Sequence, residues 1–185
     1  MSIRYTNFRG DVYYLYRRKT SKGNETYYFA KKSNGILVEK LPAGYEIYEE
    51  PNGKVYFRKP LKQLFTEKEI GVVHEKMNQH CPIQDYKMDI KKEYLYIYTI
   101  ANNVNNMPFN MATRLDETTL AKVKTYETNM RFELIDPDER LFSAQRFCFL
   151  GGIDDWIDLD CSTNLSSLVT EFVTHLGQDS FYDLM

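Results

Sequence analysis

The heptapeptide Tyr94-Leu95-Tyr96-Ile97-Tyr98-Thr99-Ile100 constrains the fold more than any other stretch, because it alternates strictly, with three tyrosines on one side and Leu95, Ile97 and Thr99 on the other. Only a β-strand sends successive side chains to opposite faces. Tyr86 to Ile90, reached back across Lys91-Lys92-Glu93, supplies a partner strand. Met130 to Ile135 and Arg140 to Leu150 read as two more, linked by the turn sequence Asp136-Pro137-Asp138-Glu139. Asn102 to Asn110 places five asparagines in nine residues and reads as a loop.

A second periodicity supplies what packs on those strands. Leu165, Leu168, Val169, Phe172, Val173 and Leu176 recur at i, i+3, i+4, i+7, i+8 and i+11, the apolar stripe of a helix, and Gly177 stands where a terminating glycine belongs. Residues 66–80 form another helix, with Thr66 and Glu69 as a capping box, Phe65 and Ile70 as a hydrophobic staple, and a stop before Pro82. A short third helix is expected over 116–126 behind Asp116, with Leu115 and Leu120 as its staple. The fold expected is α+β: mainly antiparallel β-sheet with two to three helices, the C-terminal one packed on the sheet.

The N-terminal third is β structure. Val12 to Arg18 and Glu25 to Lys31 flank Thr20-Ser21-Lys22-Gly23-Asn24 as one hairpin, and Tyr45 to Glu50 with Val55 to Lys59 make another around Asn52-Gly53. Taken as a two-residue type I′ loop, Asn52-Gly53 sets Tyr48 opposite Phe57 and Glu46 opposite Lys59.

With 43% hydrophobic and 27% charged residues, the chain is neither disordered nor collagen-like. Its net charge of −2 conceals a division. Residues 1–62 carry thirteen Lys/Arg against six Asp/Glu, and residues 63–185 eleven against twenty, a balance of +7 and −9. The domains expected are a basic, tyrosine-rich hairpin lobe over 1–62 and an acidic α+β lobe over 63–185, separate or continuous. Such a split suits a basic face for a polyanion, and equally two lobes that attract each other or a neighbouring copy.

Cys81, Cys148 and Cys161 follow no metal or redox spacing and read as small core residues in a reduced, cytoplasmic protein. No apolar run approaches the ~20 residues that cross a bilayer, so no membrane partner is expected. There is no G-x-S-x-G, Walker A, dinucleotide-binding glycine pattern, H-E-x-x-H or C-x-x-C, and no cofactor is expected.

Function is therefore sought in binding. Arg17, Arg18, Lys19, Lys22, Lys31 and Lys32 stand among Tyr14, Tyr16, Tyr27 and Tyr28. Cations neutralise phosphates and aromatic faces stack on unpaired bases, so the leading expectation is recognition of nucleic acid or another polyanion. The structural account of the same residues is tyrosine covered by neighbouring Arg and Lys on a half-exposed hairpin. A protein-interaction or self-assembling module is the alternative. A third is a metal-dependent phosphodiesterase, in which Asp154, Asp155 and Asp158 hold a divalent cation; a solvated acidic edge explains them as well. As a strand, this segment puts Asp154, Trp156, Asp158 and Asp160 on one face. Trp156 and Tyr94, Tyr96 and Tyr98 line a groove or simply pack on the sheet.

Overall fold

A computed structural model describes residues 2–101, 116–149, 151 and 154–184. The asparagine-rich loop expected over 102–110, the staple residue Leu115, and Leu150 lie outside the described residues. The described chain begins with β1 (Arg4–Thr6), β2 (Val12–Lys19), β3 (Glu25–Ala30), β4 (Ile36–Leu37), β5 (Glu46–Glu49) and β6 (Val55–Arg58). Helix α1 (Glu67–His80), β7 (Tyr86–Lys91), β8 (Tyr94–Ile100) and α2 (Glu117–Val123) follow. The remainder is β9 (Tyr126–Asp136), β10 (Leu141–Phe149), β11 (Asp154–Ser162), α3 (Leu165–Val173) and a 3₁₀ turn at Asp179–Phe181. Two compact units result: Met1–Pro60 with Asn102–Thr125, and Leu61–Ala101 with Tyr126–Met185.

The first unit is built from hairpins that share one loop design. Gly53 N–H donates to Glu50 O (2.8 Å) and Glu50 N–H to Lys54 O (3.0 Å), leaving Pro51-Asn52-Gly53 as a three-residue loop. Gly23 and Gly10 occupy the same place in the Thr20–Asn24 and Asn7–Asp11 loops, with the same bonds, and all three glycines lie at φ near +80°. The register expected for β5–β6 is therefore corrected by one residue: Tyr48 pairs with Tyr56, Ile47 with Phe57 and Glu46 with Arg58. The cause is Pro51. A two-residue loop would need the N–H of residue 51 to close the ladder against Lys54, and proline has none. Pro51 instead suits the first central position of a type I turn, and Gly53 takes the left-handed residue after it.

One carboxylate ties these hairpins together. Glu49 accepts from Tyr5 Oη (2.8 Å) and from the Phe8 N–H (2.9 Å), while buried Asn7 donates to Gly53 O (2.6 Å). The Glu49 hydrogen bond, with burial, raises the Tyr5 phenol above its ordinary range.

The second unit is a five-stranded antiparallel meander, β11-β10-β9-β8-β7, with α1 and α3 packed against each other and α3 against β10 and β11. The alternation in β8 holds: Leu95, Ile97 and Thr99 are buried, and Tyr94, Tyr96 and Tyr98 are half-buried. Val73 and Met77 of α1, Leu168, Val169 and Val173 of α3, and Met130, Phe132 and Phe142 of the sheet complete a core in which each is at most 2% exposed. The capping box forms, with Thr66 Oγ1 accepting from Glu69 N–H and the Glu69 carboxylate from Thr66 N–H. Burial alone would raise the Glu69 carboxyl, but the Arg140 guanidinium and the two Thr66 donors outweigh it and hold it below the ordinary range.

Helix α3 ends at Val173, three residues before the end of its apolar stripe, because the chain tightens there: His175 N–H donates to Phe172 O and Leu176 N–H to Val173 O. Leu176 is buried all the same. Of the cysteines only Cys81 is a core residue; Cys148 is half-buried and Cys161 exposed. No helix of the described residues is long and apolar enough to cross a membrane.

Two glycines give opposite outcomes on substitution. A Cβ on Gly177 would stand 2.7 Å from Ile83 Cδ1 at φ +78°, whereas one on Gly71, inside α1, meets nothing within 4 Å. Urea denaturation should find Gly177→Ala destabilised by about 1–3 kcal/mol. Gly71→Ala should be stabilised by about 0.5–1 kcal/mol.

Candidate functional site

Pairing of β2 with β3 sorts seven of the ten candidate side chains onto two faces. Tyr14, Tyr16 and Arg18 alternate along one face with Tyr28 opposite Tyr16; Arg17 and Lys19 lie on the other, opposite Tyr27 and Glu25. On the first face Tyr16 and Tyr28 stack at 5.9 Å and the Arg18 guanidinium lies 5.3 Å from the Tyr28 ring centre. Tyr16 is 8% exposed, and the Tyr28 hydroxyl is 2.6 Å from Ser33 Oγ, so these two rings pack within the unit. On the second face Arg17 donates to Glu25 (3.0 Å), which also accepts from Tyr27 Oη (3.1 Å).

The cations divide by position. Arg17, Arg18, Lys19 and Lys22 gather at the β2–β3 turn, where Glu25 is the single acid between Val12 and Val38. Lys31 and Lys32 lie past the far end of β3, where Lys31 bonds Asp11 at 2.8 Å. That hydrogen bond lowers the Asp11 carboxyl below its ordinary range and raises the Lys31 ammonium above its own. Arg18, Lys19, Lys22 and Lys32 are exposed and form no ion pair among the described residues. The basic excess is thus spread over two ends of a hairpin, with three of the four cations that form no ion pair, Arg18, Lys19 and Lys22, at the turn and Lys32 at the other end.

Beside β3 lies a groove lined by Tyr13, Tyr27, Phe29, Lys31, Lys54 and Tyr56, among others. Of this wall the sequence singled out Tyr27, Tyr28 and Lys31 and gave no sign of Lys54 and Tyr56, which only the tertiary approach of β6 to β3 brings in.

In the second unit, the face of the sheet opposite the core carries its own arrangement. The Arg131 guanidinium lies 4.1 Å from the Tyr94 ring centre and 4.4 Å from Trp156, and Tyr96 packs edge-on to Trp156 at 5.9 Å. Arg131 Nε donates to Gln145 Oε1, and Gln145 Nε2 donates to Glu133 (2.7 Å) and Asp158 (2.8 Å). The tyrosines and Trp156 named from the sequence do meet, around an arginine that sequence reasoning passed over. Its signal was available: Arg131 alternates with Met130 and Phe132, both fully buried, and must face the other way.

The acidic segment does not form a ligand set. In β11 Asp155 points away from Asp154 and Asp158 by simple alternation, and Asp158 is engaged by Ser143 Oγ (2.6 Å) and Gln145. Asp160 also leaves the expected face, because an irregularity pairs Asp160 with Ala144 and Asp158 with Gln145, leaving Leu159 as the extra residue. No group of three His, Cys, Asp or Glu among the described residues is placed to hold a metal ion.

No protein-family model, curated protein or solved structure matches this chain.

The Asp158 carboxyl lies below its ordinary range because Ser143 and then Gln145 donate to it, with the Arg131 charge adding and burial opposing. A depressed folded value stabilises the fold above the unfolded pKa of ~4, a contribution lost as pH falls through the lower folded value. Urea midpoints from pH 6 down to pH 2 should therefore fall less steeply for Asp158→Asn than for the parent chain; identical slopes would contradict this. Arg131→Ala should cost about 1–2 kcal/mol and red-shift the emission of Trp156, the chain's one tryptophan.

Proposed function

We propose that this protein binds nucleic acid, or another polyanion of comparable charge density, through the β2–β3 turn. The observation that carries the reading is the charge imbalance there: Arg17, Arg18, Lys19 and Lys22 against Glu25 alone. An exposed ion pair such as Arg17–Glu25 is worth about 0–1 kcal/mol, so a phosphate can compete for Arg17 without disrupting the fold. Arg18, Lys19 and Lys22 need no such release, and Lys and Arg that neutralise phosphates free condensed counterions.

A second reading has an observation of its own. The Tyr94, Tyr96, Trp156 and Arg131 face joins the residue types that dominate protein–protein hot spots, and its charges are balanced by Glu133 and Asp158. That suits a protein surface, a second copy of the chain being the occupant testable first.

For the first reading, fluorescence anisotropy with a single-stranded decanucleotide should give log affinity falling with log salt at a slope of about −2 to −3, as three or four neutralised phosphates require. Arg17→Glu with Arg18→Glu should abolish binding, and Glu25→Gln, which frees Arg17, should tighten it about 2–5-fold. Salt-independent binding would contradict the reading. For the second, light scattering should give a mass that rises with concentration and stays monomeric in Tyr96→Glu; a constant monomer in the parent chain removes self-association.

A further inference from the structure

Strands β3 and β6 each have a ladder partner on one side only, β2 and β5 respectively. A groove of about 530 Å³ is lined by Tyr27, Tyr28 and Phe29 of β3 and by Val55, Tyr56 and Phe57 of β6. One side is a set of stacked rings: Phe57 lies on Tyr45 at 4.4 Å and 10°, and against Tyr27 at 5.2 Å. Tyr13 and Phe29 extend the apolar lining, and no Asp or Glu belongs to it. Two ammonium groups stand at the groove, Lys54 at 5.0 Å from the Tyr56 ring centre and Lys31 at 5.7 Å from Tyr13. Lys31 is shared with Asp11, whereas Lys54 has no carboxylate within ion-pair distance among the described residues.

An aromatic slot with cations and no anions fits a flat ring joined to a negative group. β3 and β6 come within 8 Å of each other between Cα atoms, which brings the rings of Tyr27 and Phe57 together. We propose that the groove receives one base of a single-stranded nucleic acid, stacked on the Tyr27 and Phe57 side, with Lys54 meeting the adjoining phosphate. The inference rests on the polyanion-binding reading and adds to it the choice of single strand over duplex, since a paired base offers no free face to stack.

The test compares a decanucleotide of deoxythymidine with an abasic decamer of the same length and phosphate count, both by anisotropy. The abasic strand should bind on the order of 10-fold more weakly, and Tyr27→Leu with Phe57→Leu, checked for an unchanged thermal melt, should remove most of that difference, whereas Lys54→Ala should weaken both strands alike. Equal affinity of the two strands for the parent protein would overturn the groove assignment while leaving the hairpin-turn reading intact. Binding of neither strand would overturn both. Thymidine monophosphate binding as tightly as the decamer, and indifferent to Arg17→Glu with Arg18→Glu, would make the groove a free-nucleotide site and overturn the strand assignment.

Discussion

Two-residue periodicity in a sheet whose helices pack on one side is the constraint on which the second unit depends. Once Leu95 and Ile97 turn toward α1 and α3, Tyr94, Tyr96 and Tyr98 are committed to the opposite face, and so are Arg131, Gln145 and Trp156 on the neighbouring strands. The polar groups on that face must satisfy one another. Gln145, only 5% exposed, does so by serving three partners at once: it accepts from Arg131 and donates to Glu133 and Asp158. A neutral amide between a cation and two carboxylates needs less desolvation than a directly buried ion pair, which accounts for a well-connected polar layer on a sheet.

The first unit solves a different problem. Among the described residues it has no long helix to cover its sheets, which are held by tight loops, stacked rings and a few shared carboxylates. Asp11, Glu25 and Glu46 each hold one cation, and Glu49 is spent on Tyr5 and Phe8. With these four acids engaged in this way, the β2–β3 turn keeps a positive remainder. The surplus follows from composition, but its location follows from the hairpin register, which pairs Lys19 with Glu25 and leaves Lys22 in the loop.

Local signals carried much of this architecture. The capping box at Thr66, the stripe of α3 and the alternation of β8 are each determined by residues close in sequence; the first and last appear as expected, and the stripe is buried through Leu176 although the helix itself stops at Val173. The register of β5–β6 differs from the one Asn52-Gly53 alone implies because Pro51 beside it has no N–H to close a two-residue loop, a signal that is legible in the sequence. The irregularity at Leu159 depends on how β11 meets β10, and the groove depends on β3 and β6 approaching across 24 intervening residues of sequence. Neither has a local signature. The candidate site was legible as a list of cations and tyrosines, but not as a surface: pairing put Tyr16 inside, divided Arg17 from Arg18, and brought Lys54 beside Lys31's neighbours.

Binding of single-stranded nucleic acid at the β2–β3 turn and the groove is tested most directly by which backbone amides respond to an oligonucleotide. In ¹H–¹⁵N correlation spectra recorded during a titration, shifts should concentrate at Arg17 to Lys22 and at Lys54 to Phe57, with the core of α3 unmoved. Spectra in which those segments stay fixed, or in which the response centres on Tyr94 to Tyr98 and Trp156, would contradict it.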